Sequence, residues 1–383
     1  MHEATFGRYL GVQGGAGYLT YIQNGALFAV AFDPDSLEVR GKPAPVLEQV
    51  GYNWNSGSAQ LDFSQTGTLV YRSGIPETSG LVTVQWMDTD GETQPILAKP
   101  GHYYYPHLSP DNQRLALEIA DGRNRDIWIY DLRREVMRHL SFDAAGSANM
   151  NPVWSPDGHY IIFAGKGGMY WIKSNGAGKP QRLPQSQTLQ LPYSIARDGR
   201  RLALMQQAVS GGIAVWTMPL QISDTGLVGG GPEAFVSDAR YPAFSPDGHW
   251  MAYTSNESGT YQVYVRAFPD RGGKWQVSSG GGAYPVWSSN AHELMFRGLD
   301  SRFMVVTYAR EGGSFVTGKP RVWAEKRLLQ SVVGQGAFDL SSDGKRVVML
   351  VPVEAEGRTA QNDAIFLENF FDEVRRRVGK SGR

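Results

Sequence analysis

The chain has 383 residues, and its 37 Lys+Arg balance its 37 Asp+Glu, so the basic excess expected of a nucleic-acid binder is missing. It holds no Cys, which excludes disulfides, thiolate metal sites and cysteine catalysis. With 46 Gly and 21 Pro for turns, and 41% hydrophobic and 11% aromatic residues for a core, the composition points to an all-β protein rather than a disordered one.

In chain order, the first residues, MHEATFGRYLGVQGG, lack the charged-then-apolar order of a leader. No later stretch approaches the roughly 18–20 apolar residues of a membrane span. The glycine-rich GRYLGVQGGAG has neither the spacing nor the following lysine of a nucleotide loop. From Gly17, GYLTYIQNGALFAVAFDPDSLEVRGKPAPVLEQ predicts two apolar strands, a loop and a GKP before a last strand, a pattern repeated from Glu293. A shorter signature then recurs, in which an apolar residue precedes Ser-Pro-Asp-Gly or a relative and an alternating apolar run follows. Its Ser slot falls at Ser64, Ser109, Ser155, Ala196, Ser245, Ser288 and Ser341, spaced by 45, 46, 41, 49, 43 and 53 residues.

The slot chemistry is that of a tight hairpin. Pro156 or Pro246 presets φ at the second position, Asp157 or Asp247 tolerates the third, and Gly158 or Gly248 supplies positive φ. Further apolar runs follow each hairpin, such as DIWIYDL from Asp126 and YQVYVRAF from Tyr261. Four strands per repeat make a β-propeller blade. With the unmarked copy at Gly17 the count favours eight blades, with seven or six as alternatives. The ring is expected to close by a strand from residues 1–10 completing the blade that begins near Phe338. The propeller is expected over residues 1–367. The tail 368–383 predicts an amphipathic helix with Phe370, Phe371, Val374 and Val378 on one face, either docked on the last blade, binding a partner or frayed.

WSPDG and FSPDG followed by YIIF or WMAY resemble the repeat signature of TolB-like (WD40-like) propellers. The stretches Tyr241 to Trp287, Asn124 to Leu132 and Phe366 to Val378 are similar to a narrower group, the propellers C-terminal to the kinase domain and membrane span of bacterial serine/threonine kinases. The resemblance runs from Gly17 to Val378 and implies a sensing or protein-interaction role. The kinase half is missing: no His-Arg-Asp catalytic loop, Asp-Phe-Gly or strand lysine is present. The chain therefore reads as a free-standing propeller or as the separately encoded sensor part of such a kinase, extracytoplasmic in the second case.

No catalytic constellation stands out. There is no Gly-x-Ser-x-Gly elbow, the GKS at Gly379 lacks its upstream glycine, and no two of the seven His have metal-ligand spacing. No cofactor or metal is expected. His159 and His249 share one position after the turn, and Asp157, Asp198, Asp247 and Asp343 share another, so turn geometry accounts for them. Pro recurs three residues before the Ser slot at Pro106, Pro152, Pro242 and Pro285, preceded by Tyr105, Asn151, Tyr241 and Tyr284. These segments enter the innermost strands. The tyrosines either fill the space between blades or, with Trp54, Tyr104 and Arg240, line a binding funnel at one channel mouth. The expected function is a non-catalytic binding or sensor module for a protein, peptide or small ligand, with a channel hydrolase as the alternative.

Overall fold

The computed structural model describes residues 5–11, 17–23, 25–48, 50–53, 58–64, 66–72, 81–121, 124–141, 148–184, 188–207, 212–269, 272–289, 292–325, 338–353 and 364–380. The chain divides into two compact units, Gly80–Val353 and the remainder, Met1–Ser79 with Glu354–Arg383. This differs from the single propeller over 1–367 drawn from the sequence.

The larger unit is a six-bladed β-propeller. Blade 1 pairs Phe338–Leu340 with Arg346–Pro352, then Val82–Asp88, then the first half of the long strand Thr93–Leu108. The second half of that strand, from His102, opens blade 2 with Arg114–Asp121, Asn124–Asp131 and Val136–His139. Blade 3 holds Met150–Trp154, Tyr160–Gly165, Gly168–Lys173 and Gln181–Arg182. Blade 4 holds Gln190–Ile195, Arg201–Gln207, Ile213–Ser223 and Glu233–Ser237, with Gly226–Gly229 extending its third strand as a hairpin. Blade 5 holds Ala239–Phe244, Trp250–Ser255, Gln262–Ala267 and Lys274–Gln276. Blade 6 holds Ala283–Trp287, Glu293–Arg297, Phe303–Glu311 and Arg321–Ala324, again with an extending hairpin strand, Ser314–Thr317. The six inner strands contact one another in turn, from blade 1 round to blade 6 and back.

Two expectations are thereby corrected. The count is six, one of the stated alternatives, rather than the favoured eight, because the repeats at Gly17 and Ser64 belong to the other unit. Closure does not use residues 1–10: Thr5–Leu10 pairs Gly17–Gln23. The blade begun at Phe338 is completed instead by Val82–Asp88, which lies along Arg346–Pro352 over seven paired residues. Either strand would satisfy the same backbone donors and acceptors, so alternation alone does not choose between them.

The hairpins carry the slot chemistry residue by residue. Ser155 Oγ donates to Asp157 Oδ1 at 2.5 Å and accepts the Tyr160 N–H at 2.9 Å, while Asp157 Oδ1 accepts the His159 N–H at 3.0 Å. Gly158, at φ +71°, closes the turn. Ser245 and Ser341 make the same set with Asp247 and Asp343. Tryptophans one residue before the slot tie neighbouring blades: Trp154 Nε1 donates to His107 O and Trp287 Nε1 to Ala243 O, each at 2.9 Å. Between blades lie layers of buried aliphatics and aromatics, such as Leu115 and Val348 between blades 1 and 2 and Trp250 and Phe296 between blades 5 and 6.

In the smaller unit, Thr5–Leu10, Gly17–Gln23, Ala26–Asp33 and Glu38–Leu47 form a four-stranded antiparallel sheet. A second sheet joins Leu61–Phe63, Leu69–Arg72 and Ala364–Leu367. The C-terminal helix, Phe370–Lys380, buries Phe370 and Val374 in a core with Leu27, Val46 and Leu69, and Phe371 and Val378 pack at its edge. Its apolar face is thus covered within its own unit.

Candidate functional site

The propeller encloses a channel of about 510 Å³, and three recurring positions of the repeat form rings in its wall. At the rim, one residue after the Ser slot, stand Pro110, Pro156, Arg197, Pro246, Ser289 and Ser342. Two residues before the slot, a middle ring holds His107, Val153, Ser194, Ala243, Val286 and Asp339. Four residues before it lie Tyr105, Asn151, Tyr241 and Tyr284, joined by Tyr193. At about 3.3 Å rise per residue, the middle ring is roughly 10 Å below the rim.

A bulge places the floor residues. The register of the first two strands shifts between Tyr104 and His107, Met150 and Val153, Arg240 and Ala243, and Ala283 and Val286. At each shift one residue takes positive φ: Tyr105 at +46°, Asn151 at +58°, Tyr241 at +56° and Tyr284 at +57°. Left-handed backbone is costly for tyrosine, and the proline that follows further limits the choices. The N–H that the bulge frees is taken by the preceding blade: Asn151 N–H donates to Glu118 Oε2 at 3.3 Å and Tyr284 N–H to Thr254 Oγ1 at 3.3 Å. Tyr241 N–H likewise approaches Met205 Sδ at 3.2 Å. The repeated strain is offset by these contacts and aims the side chains at the channel axis.

The tyrosines pack on one another. The rings of Tyr241 and Tyr284 lie 4.2 Å apart, with their hydroxyls 3.3 Å apart, and Tyr193 meets Tyr241 edge-on at 5.7 Å. Tyr105 and Tyr193 share a hydrogen bond. Burial, and then the neighbouring charge of Glu118, raises the Tyr105 phenol above its ordinary range; burial does the same to Tyr193 and Tyr284. These phenols stay neutral and serve as hydrogen-bonding groups. Asn151 Nδ2 donates to Pro192 O at 2.6 Å, leaving its buried Oδ1 without a partner.

Of the seven residues expected to line a funnel, the channel brings together Tyr105, Asn151, Tyr241 and Tyr284. Tyr104 is buried one residue before the bulge, under the Arg125 guanidinium at 5.1 Å. Arg240, in the equivalent place of blade 5, lies 5.7 Å from the Tyr261 ring and is not on the channel wall. Trp54 lies outside the described residues.

The middle ring was not singled out in the sequence, although reading down the column two residues before each slot exposes it. Its two titratable members, Asp339 and His107, sit on adjacent blades. Asp339 Oδ2 accepts the Leu108 N–H of blade 2 at 2.8 Å, and Oδ1 accepts the Leu340 N–H at 2.8 Å. Burial raises its carboxyl above the usual range, opposed by the adjacent His107. His107 Nδ1 is buried with no hydrogen-bond partner. The rest of the ring is Val153, Ala243 and Val286, with the Ser194 hydroxyl of blade 4 across the channel from Asp339. No cluster of three or more His, Cys, Asp or Glu able to hold a metal is found among the described residues. Nor is any helix among them long and apolar enough to cross a membrane.

No family model matches the chain. An uncharacterized protein of Agrobacterium fabrum is 22% identical over 248 residues, 62% of this chain and 76% of that protein. Among solved structures, one described as TolB from Agrobacterium tumefaciens superposes with a TM-score of 0.54 at 16% identity, covering 72% of this chain and 99% of that one. TolB from Acinetobacter baumannii reaches 0.40 at 12% identity, over 90% of this chain and 78% of that one, too distant to carry an argument. At these identities the likeness is one of fold. With its six four-stranded blades and its recurrent Ser-Pro-Asp-Gly hairpins, Gly80–Val353 has the fold of a TolB-like β-propeller.

Proposed function

We propose that the propeller is a non-catalytic binding module that admits part of a protein, a peptide or a small ligand into its channel from the Ser-Pro rim. One observation carries this reading: the 510 Å³ channel has the size of ligand pockets generally, and its wall presents polar groups beside apolar side chains in comparable measure. The tyrosine floor adds rigid aromatic contact area at little entropic cost. A sensor role, as in the propeller half of a receptor-type kinase, rests on the sequence resemblance alone; a kinase reading frame beside the gene would support it.

The test is a thermal-shift screen of metabolites and short peptides on the full chain beside a rim variant, Ser289→Trp. Ser289 is exposed, so the indole narrows the entrance without entering the core. Ligands that stabilise the parent and not the variant support channel binding. Hits that all persist in the variant would place binding elsewhere.

The alternative, a channel enzyme, draws on His107 and Asp339, the one titratable pair in the middle ring and the natural place for acid–base chemistry. Turnover by the parent that is lost in His107→Gln would favour it.

A further inference from the structure

Asp339 has a neutral counterpart in the same ring. Ser194 occupies the same slot of blade 4, and its Oγ accepts the Phe244 N–H of blade 5 at 3.1 Å, as Asp339 Oδ2 accepts the Leu108 N–H of blade 2. A hydroxyl is therefore sufficient for the clasp between blades, and the charge at position 339 is not needed for it. That charge is costly where it stands, because the carboxyl is desolvated and makes no ion pair among the described residues. Each carboxylate oxygen has capacity for about two hydrogen bonds and accepts one backbone N–H, so both have room for another donor. Beside it, His107 Nδ1 is buried and unpartnered. Below, the aromatic faces of the tyrosine floor attract cations. Apart from Ser194, the remaining wall at this depth, Val153, Ala243 and Val286, is apolar, and the charged Arg197 stands exposed at the rim, where solvent screens it.

We propose that the channel binds a primary alkylammonium group, seated between the Asp339 carboxylate and His107 Nδ1 above the tyrosine rings, with its alkyl chain along the apolar side of the ring at Ala243 and Val286. The inference rests on the channel being the binding site and names the chemistry that site selects. Burial holds the Asp339 carboxyl above its usual range, in the direction that an arriving cation would reverse. A lysine side chain of a partner and a free amine present the same group.

Three probes of equal length separate the charge types: hexylamine, 1-hexanol and hexanoate, titrated into the full chain by ligand-observed NMR. Binding of hexylamine well ahead of the other two is expected, weakened about tenfold or more in Asp339→Ser, as for loss of a charge-assisted hydrogen bond. That variant copies the neutral clasp of blade 4, so its unfolding midpoint should stay near that of the parent. A further arm compares hexylamine with the peptide acetyl-Gly-Lys-Gly-amide; preference for the peptide points to a partner's lysine and preference for hexylamine to a free amine. Equal binding of 1-hexanol or hexanoate, blocked by Ser289→Trp, would overturn the ammonium assignment while leaving the channel as the site. Hexylamine binding that survives Asp339→Ser, or no binding by any probe, would also overturn it. Hits of the thermal-shift screen that ignore the rim variant would remove the channel reading itself.

Discussion

Glu118 is fully buried in the second strand of blade 2, paired to Arg125 Nη1 at 2.8 Å and to the Asn151 N–H of the next blade. Burial pushes its carboxyl up to about 7, while the Arg125 charge and the Asn151 N–H pull the other way. Between the ordinary carboxylate value and about 7 the folded protein holds a proton that the unfolded chain has released. Stability therefore falls as pH rises through that window and levels off above it. Glu118→Gln, which cannot titrate, should flatten the dependence of Tm on pH between about 5 and 7. Below about pH 5 the two proteins should have similar Tm, because the parent carboxyl is then neutral as well and Arg125 has no carboxylate to lose. Parallel Tm–pH curves for parent and variant would show that Glu118 does not titrate there. The turn carboxylates behave oppositely: the Ser341 hydroxyl and the Lys345 N–H hold Asp343 below its usual range. Groups of that kind stabilise the fold above the ordinary carboxylate range and lose their contribution only in acid.

Among the elements, the C-terminal helix was read from sequence by its apolar spacing, with docking, partner binding and fraying all open. The structure buries Phe370 and Val374 with the strands of the smaller unit, and the Phe370 N–H donates to Gly67 O at 2.8 Å. The Arg375, Arg376 and Arg377 cluster is engaged with Asp372 and Glu373 of the same helix. Phe370→Ala should cost that unit about 3–5 kcal/mol, the usual range for emptying a buried phenylalanine site. Denaturant unfolding measures it, and a loss under about 1 kcal/mol would mean that the helix contributes little to the core. The spacing revealed the helix face but not its receptor, because Leu27, Val46 and Leu69 lie some three hundred residues earlier in the chain.

Across the propeller as a whole, blade 1 joins the two ends of the Gly80–Val353 segment. Val348 is fully buried in the seam between Phe338–Leu340 and Val82–Asp88. A closed ring of blades transmits damage at its seam to every blade, whereas an open array confines it to neighbours. Val348→Asp is therefore expected to lower hydrogen-exchange protection in all six blades. Loss restricted to blades 1, 2 and 6 would show that closure is energetically minor.

The sequence by itself determined the all-β blade, the hairpin at each Ser slot and the tyrosine–proline positions, because those depend on alternation and turn chemistry within a few residues. It did not determine the number of blades in the ring or the strand that closes it. Strands with the same alternation compete for the same backbone partners, and only tertiary packing selected Val82–Asp88 over the N-terminal residues. The middle ring of the channel escaped for a related reason: Asp339 and His107 are more than two hundred residues apart, and only closure of the ring sets them side by side. Their chemistry was visible as residue types, and their meeting is a property of the fold.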